Sequence, residues 1–384
     1  MIARRATQTK TKLNMLLFGD TFTGKTTLAS QLAYFKREDG KPFRVLYIDA
    51  ETGGLDSYLD DMEASGVNLN NIYIVYTQSL AEVKQLIEKV RNREDFYEYD
   101  ENGNETVDIV LDADGEPFRP DALIVDGVTI LNLTTQNGLL EFSKKRNKVK
   151  ADKDGLIGDE RLIKIEGASL EIKDWGTIKY RGQSLILDLM ACGVHCIVTA
   201  REEDEKVSIK TDSGQIASVT TGNKKPSGFK DLEYNTNTVI RTFLDKETNQ
   251  ICAQIIKDRT KVHSAGEIIE DPTLLDWQVA IDKTKDKKDF VLKNDLDNAI
   301  EVEQKLYEKE LLGKDTPILN NSISSTNDAD TLRAEITEFI KSLTPPQKTE
   351  MKKKLTDAGL PTAFKSVTDA ATLQKVLDTI KAQK

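Results

Sequence analysis

The sequence predicts an α/β fold in which a mostly parallel sheet is flanked by helices, and three observations carry this prediction. Short apolar runs alternate with stretches of helical spacing, which is the pattern of strands joined by crossover helices. A glycine-rich loop directly follows the first apolar run, at residues 19–26. Two later runs end in carboxylates, Asp49 and Asp126, and the carboxyl edge of such a sheet is where ligands bind.

The elements follow from these runs in chain order. The first strand is predicted over residues 13–18, and a helix over residues 26–35. Four more strands are predicted over 44–49, 72–76, 122–126 and 194–200, with helices over 80–90 and 183–192. The later segments 238–244 and 251–257 flank a polar turn, which predicts a hairpin that closes the far edge of the sheet.

An insertion and a tail extend this core. Residues 91–120 contain two alternating segments around Asn102-Gly103, which predicts an inserted β-hairpin, either a decoration or a partner-binding arm. We divide the chain into an α/β core, an amphipathic helix, a flexible linker and a small basic all-α module of three short helices. Their predicted bounds are 1–283, 284–312, 313–330 and 331–384.

Composition excludes several classes of protein. No apolar stretch of the 384 residues reaches the length of a membrane span, and the N-terminus lacks the apolar core of a signal peptide. The three cysteines argue against a disulfide framework and fit a reducing cytoplasm. Cys192, His195 and Cys196 are predicted to be core residues, because no second ligand pair accompanies them. The net charge of −10 means that any nucleic-acid site must be a local basic patch.

The glycine-rich loop reads Gly-Asp-Thr-Phe-Thr-Gly-Lys-Thr, a complete G-x-x-x-x-G-K-[ST] phosphate loop. In such a loop, backbone N–H groups converge on phosphate oxygens at the N-terminus of a helix. The lysine reaches the β- and γ-phosphates, and the threonine hydroxyl ligates Mg²⁺, so we predict ATP and Mg²⁺ as cofactors. The predicted nucleotide-binding residues are Gly19, Asp20, Thr21, Phe22, Thr23, Gly24, Lys25, Thr26 and Thr27.

Carboxylates at two strand ends complete the predicted chemistry. Asp49 and Glu51 point to opposite faces if the strand continues. We choose Glu51 as the group that activates water for attack on the γ-phosphate, and Asp49 as a residue that holds the turn. The alternative for Glu51 is a solvated acid at a strand end. Asp126, after four apolar residues, is predicted to hold Mg²⁺ through water opposite the Thr26 hydroxyl.

These residues resemble bacterial RecA, which has the same Asp-Ala-Glu at the end of its second strand. More closely, residues 12–282 are similar to the compact phage RecA-like ATPases linked to single-strand annealing or recombination. Further marks of the resemblance are Asp174-Trp175-Gly176, Thr199-Ala200-Arg201 and Lys257-Asp258-Arg259. The resemblance implies a RecA-like P-loop NTPase fold and an ATPase stimulated by single-stranded DNA, in the host cytoplasm if the protein is phage-encoded.

The resemblance also implies a catalytic site shared between subunits. Lys257 and Arg259 are similar to the Lys-x-Arg element with which these ATPases reach the γ-phosphate bound to the next subunit. An ordinary surface pair is the alternative. A homo-oligomer with the ATP site at the subunit interface would follow, as a ring or a filament. Thr199 lies where the family places a polar sensor of the nucleotide, but Ala200 replaces the family's glutamine.

RecA-like cores present two loops to DNA, and both corresponding regions here are expected to be long and irregular. Basic side chains would follow the phosphate backbone and an aromatic ring would stack on a base. The alternative for each basic run is a solvated helix face. The predicted DNA-binding residues are Lys144, Lys145, Arg146, Lys148, Lys150, Lys224, Lys225, Phe229 and Lys230.

The leading hypothesis is an ATP-hydrolysing protein that acts on single-stranded DNA in phage recombination or annealing, with a single-strand-binding protein as a further partner. The main alternative is a nucleotide-switched regulatory or replication-accessory ATPase without recombinase activity. A small-molecule kinase is less supported, because nothing after Asp126 indicates a lid or an acceptor site.

Overall fold

The computed structural model describes residues 9–210, 216–288, 296–312, 328–341, 345–362, 367 and 369–381. The chain divides into two compact units. The core unit consists of Met1–Glu94 and Leu111–Asn294, and the second unit of Asp95–Val110 and Asp295–Lys384. In the part of the chain that is described, no helix is long and apolar enough to cross a membrane.

One sheet organises the core unit. In chain order, the strands are β1 (Asn14–Gly19), β2 (Val45–Asp49), β3 (Ile72–Tyr76), β4 (Tyr97–Tyr99), β5 (Glu105–Ile109), β6 (Ala122–Asp126), β7 (His195–Lys210), β8 (Ile216–Ser227), β9 (Thr238–Leu244), β10 (Ile251–Asp258) and β11 (Ile268–Glu270). Nine of these described strands form the sheet, in the order β11-β10-β9-β1-β7-β6-β2-β3, with β8 paired to β7. The strands from β9 to β3 are parallel, whereas β8, β10 and β11 are antiparallel to their neighbours.

Helices connect and cover these strands. Those of the core unit are α1 (Lys25–Ser30), α2 (Leu59–Ala64), α3 (Leu80–Asn92), α4 (Val128–Lys153), α5 (Gly158–Glu166), α6 (Ile172–Met190), α7 (Leu232–Asn235) and α8 (Gln278–Asp282). Every residue of β1, β2 and β6 is buried, as expected for parallel strands covered on both faces. Leu28, Leu32 and Phe35 pack with Tyr47 and Ile124 in the main apolar cluster, so the segment that follows the phosphate loop lies against the sheet.

The second unit contains the inserted hairpin and the C-terminal helices. Strands β4 and β5 pair in antiparallel fashion, which confirms the hairpin predicted around Asn102-Gly103. The helices are α9 (Leu296–Leu312), α10 (Asp328–Lys341), α11 (Pro345–Asp357) and α12 (Ala370–Lys381). Ile336, Met351 and Leu373 belong to the apolar cluster that α10, α11 and α12 share. Residues 313–327 of the predicted linker lie outside the described residues, and the proposed domain bounds stay predictions.

The predicted fold class is confirmed, and three local expectations were wrong. The region after β6 is the continuous helix α4 rather than an irregular loop, because it contains no proline and a single interior glycine, Gly138. Most of residues 201–230 forms a two-stranded ribbon of β7 and β8, whose β-branched residues favour extended structure. The hairpin of β9 and β10 does not close the far edge, because β11 pairs outside β10. Cys192, His195 and Cys196 are buried core residues, as predicted.

Candidate functional site

The phosphate loop leaves the carboxyl end of β1, at the edge where β2 and β6 also end and beyond which β7 continues into the ribbon. Only glycine fits at position 19, because a Cβ there would lie 2.1 Å from the Thr242 carbonyl oxygen of β9. Gly24 begins α1 in the left-handed region, at φ +82°, where glycine is the favoured residue. The second glycine of the motif is therefore required by the backbone, and the first by close packing.

The loop is closed by its own side chains. Lys25 Nζ donates to the Asp20 carbonyl oxygen at 2.6 Å, and Thr23 Oγ1 donates to the same oxygen at 2.8 Å. Burial lowers the pKa of Lys25, while the carboxylates of Glu51 and Asp126 act in the opposite direction. The ammonium group thus lies in the field of both predicted catalytic carboxylates.

Asp126 is the centre of a hydrogen-bonded cluster beside this loop. Its side chain is almost fully buried, at 2% exposure. Thr26 Oγ1 donates to Asp126 Oδ2 at 2.9 Å, and Thr199 Oγ1 donates to Oδ1. Thr199 Oγ1 in turn accepts the N–H of Gly127 at 2.8 Å. Thr199, predicted as a nucleotide sensor, is buried and therefore contacts Asp126 rather than the open edge.

The oxygens of Thr26 and Asp126 fit a Mg²⁺ site. They come from the phosphate loop and the acidic strand, and both belong to the class of ligand that Mg²⁺ prefers. Gly54 lies beside them, and a Cβ at that position would be 3.4 Å from Asp126 Oδ2 and 3.9 Å from Thr26 Oγ1. The missing side chain leaves space next to the pair, where Mg²⁺ would keep its water ligands.

Asp49 and Glu51 have different surroundings. The buried carboxylate of Asp49 accepts three backbone N–H groups, from Glu51 at 2.8 Å, Gly53 at 2.7 Å and Gly54 at 3.1 Å. It therefore holds a turn in which Thr52 has a φ of +62°, a strained value for a β-branched residue. The Glu51 carboxylate contacts Arg201, with Oε1 3.1 Å from Nε, and its side chain is 30% exposed. Of the two acids, only Glu51 has a carboxylate that faces the open edge.

Lys257 and Arg259 lie near the opposite ends of the strands, the amino ends of the parallel strands. Gly19 is level with Thr242 on β9, whereas Lys257 is level with Val239, roughly 10 Å nearer the amino ends of the parallel strands. Lys257 Nζ donates to the carbonyl oxygens of Glu233 and Tyr234, and burial lowers its pKa. Arg259 is exposed. Neither side chain is brought to the phosphate loop of its own chain.

The basic residues predicted on α4 divide into two groups. Lys144 lies 3.1 Å from Glu141 and 3.0 Å from Glu166, and Arg146 pairs with Asp174. Lys150 lies 3.7 Å from Glu171. Lys145 and Lys148 are exposed and make no ion pair with any residue that the structure describes. The positive field of this run is therefore smaller than its sequence indicates.

Two basic residues of the ribbon also form ion pairs with acidic residues. Lys224 Nζ is 2.8 Å from Asp204, and Lys225 Nζ is 3.1 Å from Glu203. Lys230 is exposed. The expectation that Phe229 stacks on a base was wrong for this structure, because the residue is 3% exposed. Its ring covers Gly182 of α6, where a Cβ would lie 2.5 Å from the ring atoms.

Sequence reasoning missed Tyr47, whose hydroxyl donates to Asp126 Oδ2. Burial raises the pKa of Tyr47, and the negative charge of Asp126 raises it further, so the phenol remains a donor. The available signal was a tyrosine within an otherwise apolar buried strand, since a buried phenol needs a hydrogen-bond partner.

Comparisons with known proteins find distant structural likenesses and no match in sequence. No model of a protein family matches the chain, and neither does any curated protein. One similar solved structure is a KaiC-like protein from the hyperthermophilic archaeon Pyrococcus horikoshii, at 16% identity over 68% of this chain and 89% of that one, with a TM-score of 0.35. Another is the RadB recombinase, at 15% identity over 68% of this chain and 87% of that one, with the same TM-score of 0.35. These likenesses are too distant to assign an activity.

Proposed function

We propose that the chain is a RecA-like P-loop ATPase whose catalytic site is completed by a second copy of itself. The observation that carries this proposal is the contact between Thr26 and Asp126, at 2.9 Å. It joins a complete phosphate loop to an acidic strand at the carboxyl edge of a parallel sheet, where nucleotides bind.

The residues of one chain would divide the chemistry between them. The N–H groups of the loop and Lys25 would bind the phosphates, and Thr26 and Asp126 would hold Mg²⁺. When bound, Mg²⁺ neutralises charge that develops on the phosphate oxygens. Arg201 occupies Glu51 Oε1, which leaves Oε2 to accept a proton from the attacking water.

Lys257 and Arg259 would act in trans. Arg259 is exposed near the amino ends of the parallel strands. It is therefore suited to enter the site of a neighbouring copy, where a cation stabilises the transferred phosphoryl group. In such a head-to-tail assembly, each copy supplies Arg259 to one neighbour and receives it from the other. Hydrolysis would then depend on assembly.

Single-stranded DNA in recombination or annealing is the finer part of the proposal. Lys145, Lys148 and Lys230 support it, since they are exposed on the two regions that follow β6 and β7. A second candidate, a nucleotide-switched accessory ATPase, is favoured by the acids that pair with the other basic residues and by the net charge of −10.

Turnover with and without single-stranded DNA separates these two functions, read beside the mass of the protein in ATP. DNA stimulation that disappears in a Lys145→Glu/Lys148→Glu variant supports action on DNA. Equal turnover with and without DNA, together with unchanged DNA affinity of that variant, favours the accessory ATPase.

Mixing two inactive variants tests the shared site. Glu51→Gln and Arg259→Ala should each hydrolyse ATP poorly alone. In a 1:1 mixture, about a quarter of the interfaces join an intact Glu51 to an intact Arg259, so activity should return to that level. If Arg259→Ala is fully active by itself, the in-trans assignment is wrong even when ATP hydrolysis is established.

A further inference from the structure

Tyr47 contacts the acidic strand through a single polar atom. It lies in the middle of β2, level with Ile124 of β6, and Asp49 of β2 is level with Asp126. The side chain is fully buried, and its ring belongs to the apolar cluster that includes Leu28 of α1. The hydroxyl at the end of this ring donates to Asp126 Oδ2.

Two donors hold the Asp126 carboxylate from opposite sides. Thr199 donates to Oδ1 from β7, and Tyr47 donates to Oδ2 from β2. Thr26 also donates to Oδ2, but it is the residue that would ligate Mg²⁺. The terminal torsion of an aspartate side chain has a broad distribution of angles. Here, rotation about it would break the hydrogen bonds to Thr199 and Tyr47 at once.

We propose that Tyr47 is a positioning residue of the Mg²⁺ site, whose hydroxyl orients the Asp126 carboxylate toward the metal-bound water. This inference rests on the proposed function. Residues that hydrogen-bond a metal ligand fix its orientation, and their loss typically weakens metal affinity by about 10- to 100-fold. The Tyr47 hydroxyl contacts Asp126 and Thr26, which are the two proposed Mg²⁺-site residues, so its effect should be confined to Mg²⁺.

The test is Tyr47→Phe, which removes the hydroxyl and keeps the ring. Tyr76→Phe is the matched control. Tyr76 lies on the neighbouring strand β3, and its hydroxyl also donates to a carboxylate, at 2.8 Å from Asp56 Oδ1. The affinity for a fluorescent ATP analogue is measured in EDTA and across a Mg²⁺ titration. We expect Tyr47→Phe to bind the analogue in EDTA within about 2-fold of wild type and to need roughly 10-fold more Mg²⁺ for half-maximal enhancement.

Other outcomes overturn the inference in distinguishable ways. A Mg²⁺ requirement of Tyr47→Phe that matches that of Tyr76→Phe would show that the hydroxyl does not position Asp126. An equal loss of affinity in EDTA and in Mg²⁺ would assign Tyr47 to packing alone. Wild-type protein that binds the nucleotide without any Mg²⁺ dependence would contradict the proposed function itself, and the role of Tyr47 would fall with it.

Discussion

Gly127 offers a test of Glu51 that leaves Glu51 itself unchanged. The glycine lies between Asp126 and α4 with a φ of +97°, and a Cβ at this position would lie 2.6 Å from Glu51 Cγ. Replacing the glycine with alanine must therefore displace the proposed water-activating side chain.

The size of the effect follows from that distance. Ordinary contact begins at 3.4 Å, so Glu51 Cγ must move by about 0.8 Å. A displacement near 1 Å of a catalytic group costs about 100-fold in rate, and we expect hydrolysis to fall by roughly 10- to 100-fold. The left-handed backbone adds about 1–2 kcal/mol of destabilisation. Because the phosphate loop is untouched, ATP affinity should stay within about 3-fold of wild type.

Single-turnover hydrolysis and ATP affinity are measured for Gly127→Ala beside Gly66→Ala. Gly66 has a similar φ of +90°, and a Cβ there meets nothing within 4 Å, so this control carries the backbone strain without the contact. If both variants hydrolyse ATP equally well, Glu51 does not activate the water. If Gly127→Ala loses binding as strongly as hydrolysis, the substitution acts on the fold of the site rather than on Glu51.

Two further predictions concern buried groups. Burial lowers the pKa of His195 to about 3, so this histidine binds a proton more readily in the unfolded chain than in the folded one. The free energy of unfolding is therefore highest above about pH 6.5 and decreases as the pH falls. Between pH 7 and pH 5 this loss amounts to about 2 kcal/mol in urea unfolding, and His195→Asn, which keeps an acceptor for the Leu13 N–H, should remove it. Asp49→Asn leaves one acceptor oxygen for three backbone N–H groups. We expect a loss of about 2–4 kcal/mol at pH 7 in the same measurement.

Each of these predictions has a contradicting result. An equal loss of stability from pH 7 to pH 5 in wild type and His195→Asn would show that this histidine does not cause the acid sensitivity. A change under about 1 kcal/mol for Asp49→Asn would show that the turn after β2 is held by other contacts.

The centre of the parallel core was predictable because β1, β2 and β6 are buried on both faces and their residues are therefore mostly apolar. Strands β3 and β6 have the predicted bounds, and the acids at the ends of β2 and β6 lie together as the parallel register requires. The strand β11 was not predictable in this way, since it has only three residues and two of them are exposed.

Contacts between distant segments limited the prediction of the site. Phe229 follows two lysines and a proline in a polar stretch, and its burial depends on Gly182, a residue of α6 whose missing side chain makes room for the ring. Lys224 and Lys225 read as a basic pair, but the register of the ribbon places them opposite Asp204 and Glu203. Such pairings depend on register, which the local sequence does not specify.

The sheet gives the proposed assembly a direction. In one chain, the phosphate loop and Glu51 lie at the carboxyl edge, whereas Arg259 follows β10 at the amino edge of the parallel strands. A site that uses both must bring the carboxyl ends of the parallel strands of one copy to the amino ends of those of another, either in a heterologous contact that closes into a ring or continues as a filament, or in a twofold pair that lies antiparallel. In a twofold pair, each chain would give Arg259 to its single partner and receive Arg259 from it, so the assembly would stop at two copies, whereas a head-to-tail assembly joins three or more. Restored activity in the mixture of Glu51→Gln and Arg259→Ala would therefore establish the shared site, and a mass in ATP above that of a dimer would argue for the head-to-tail assembly.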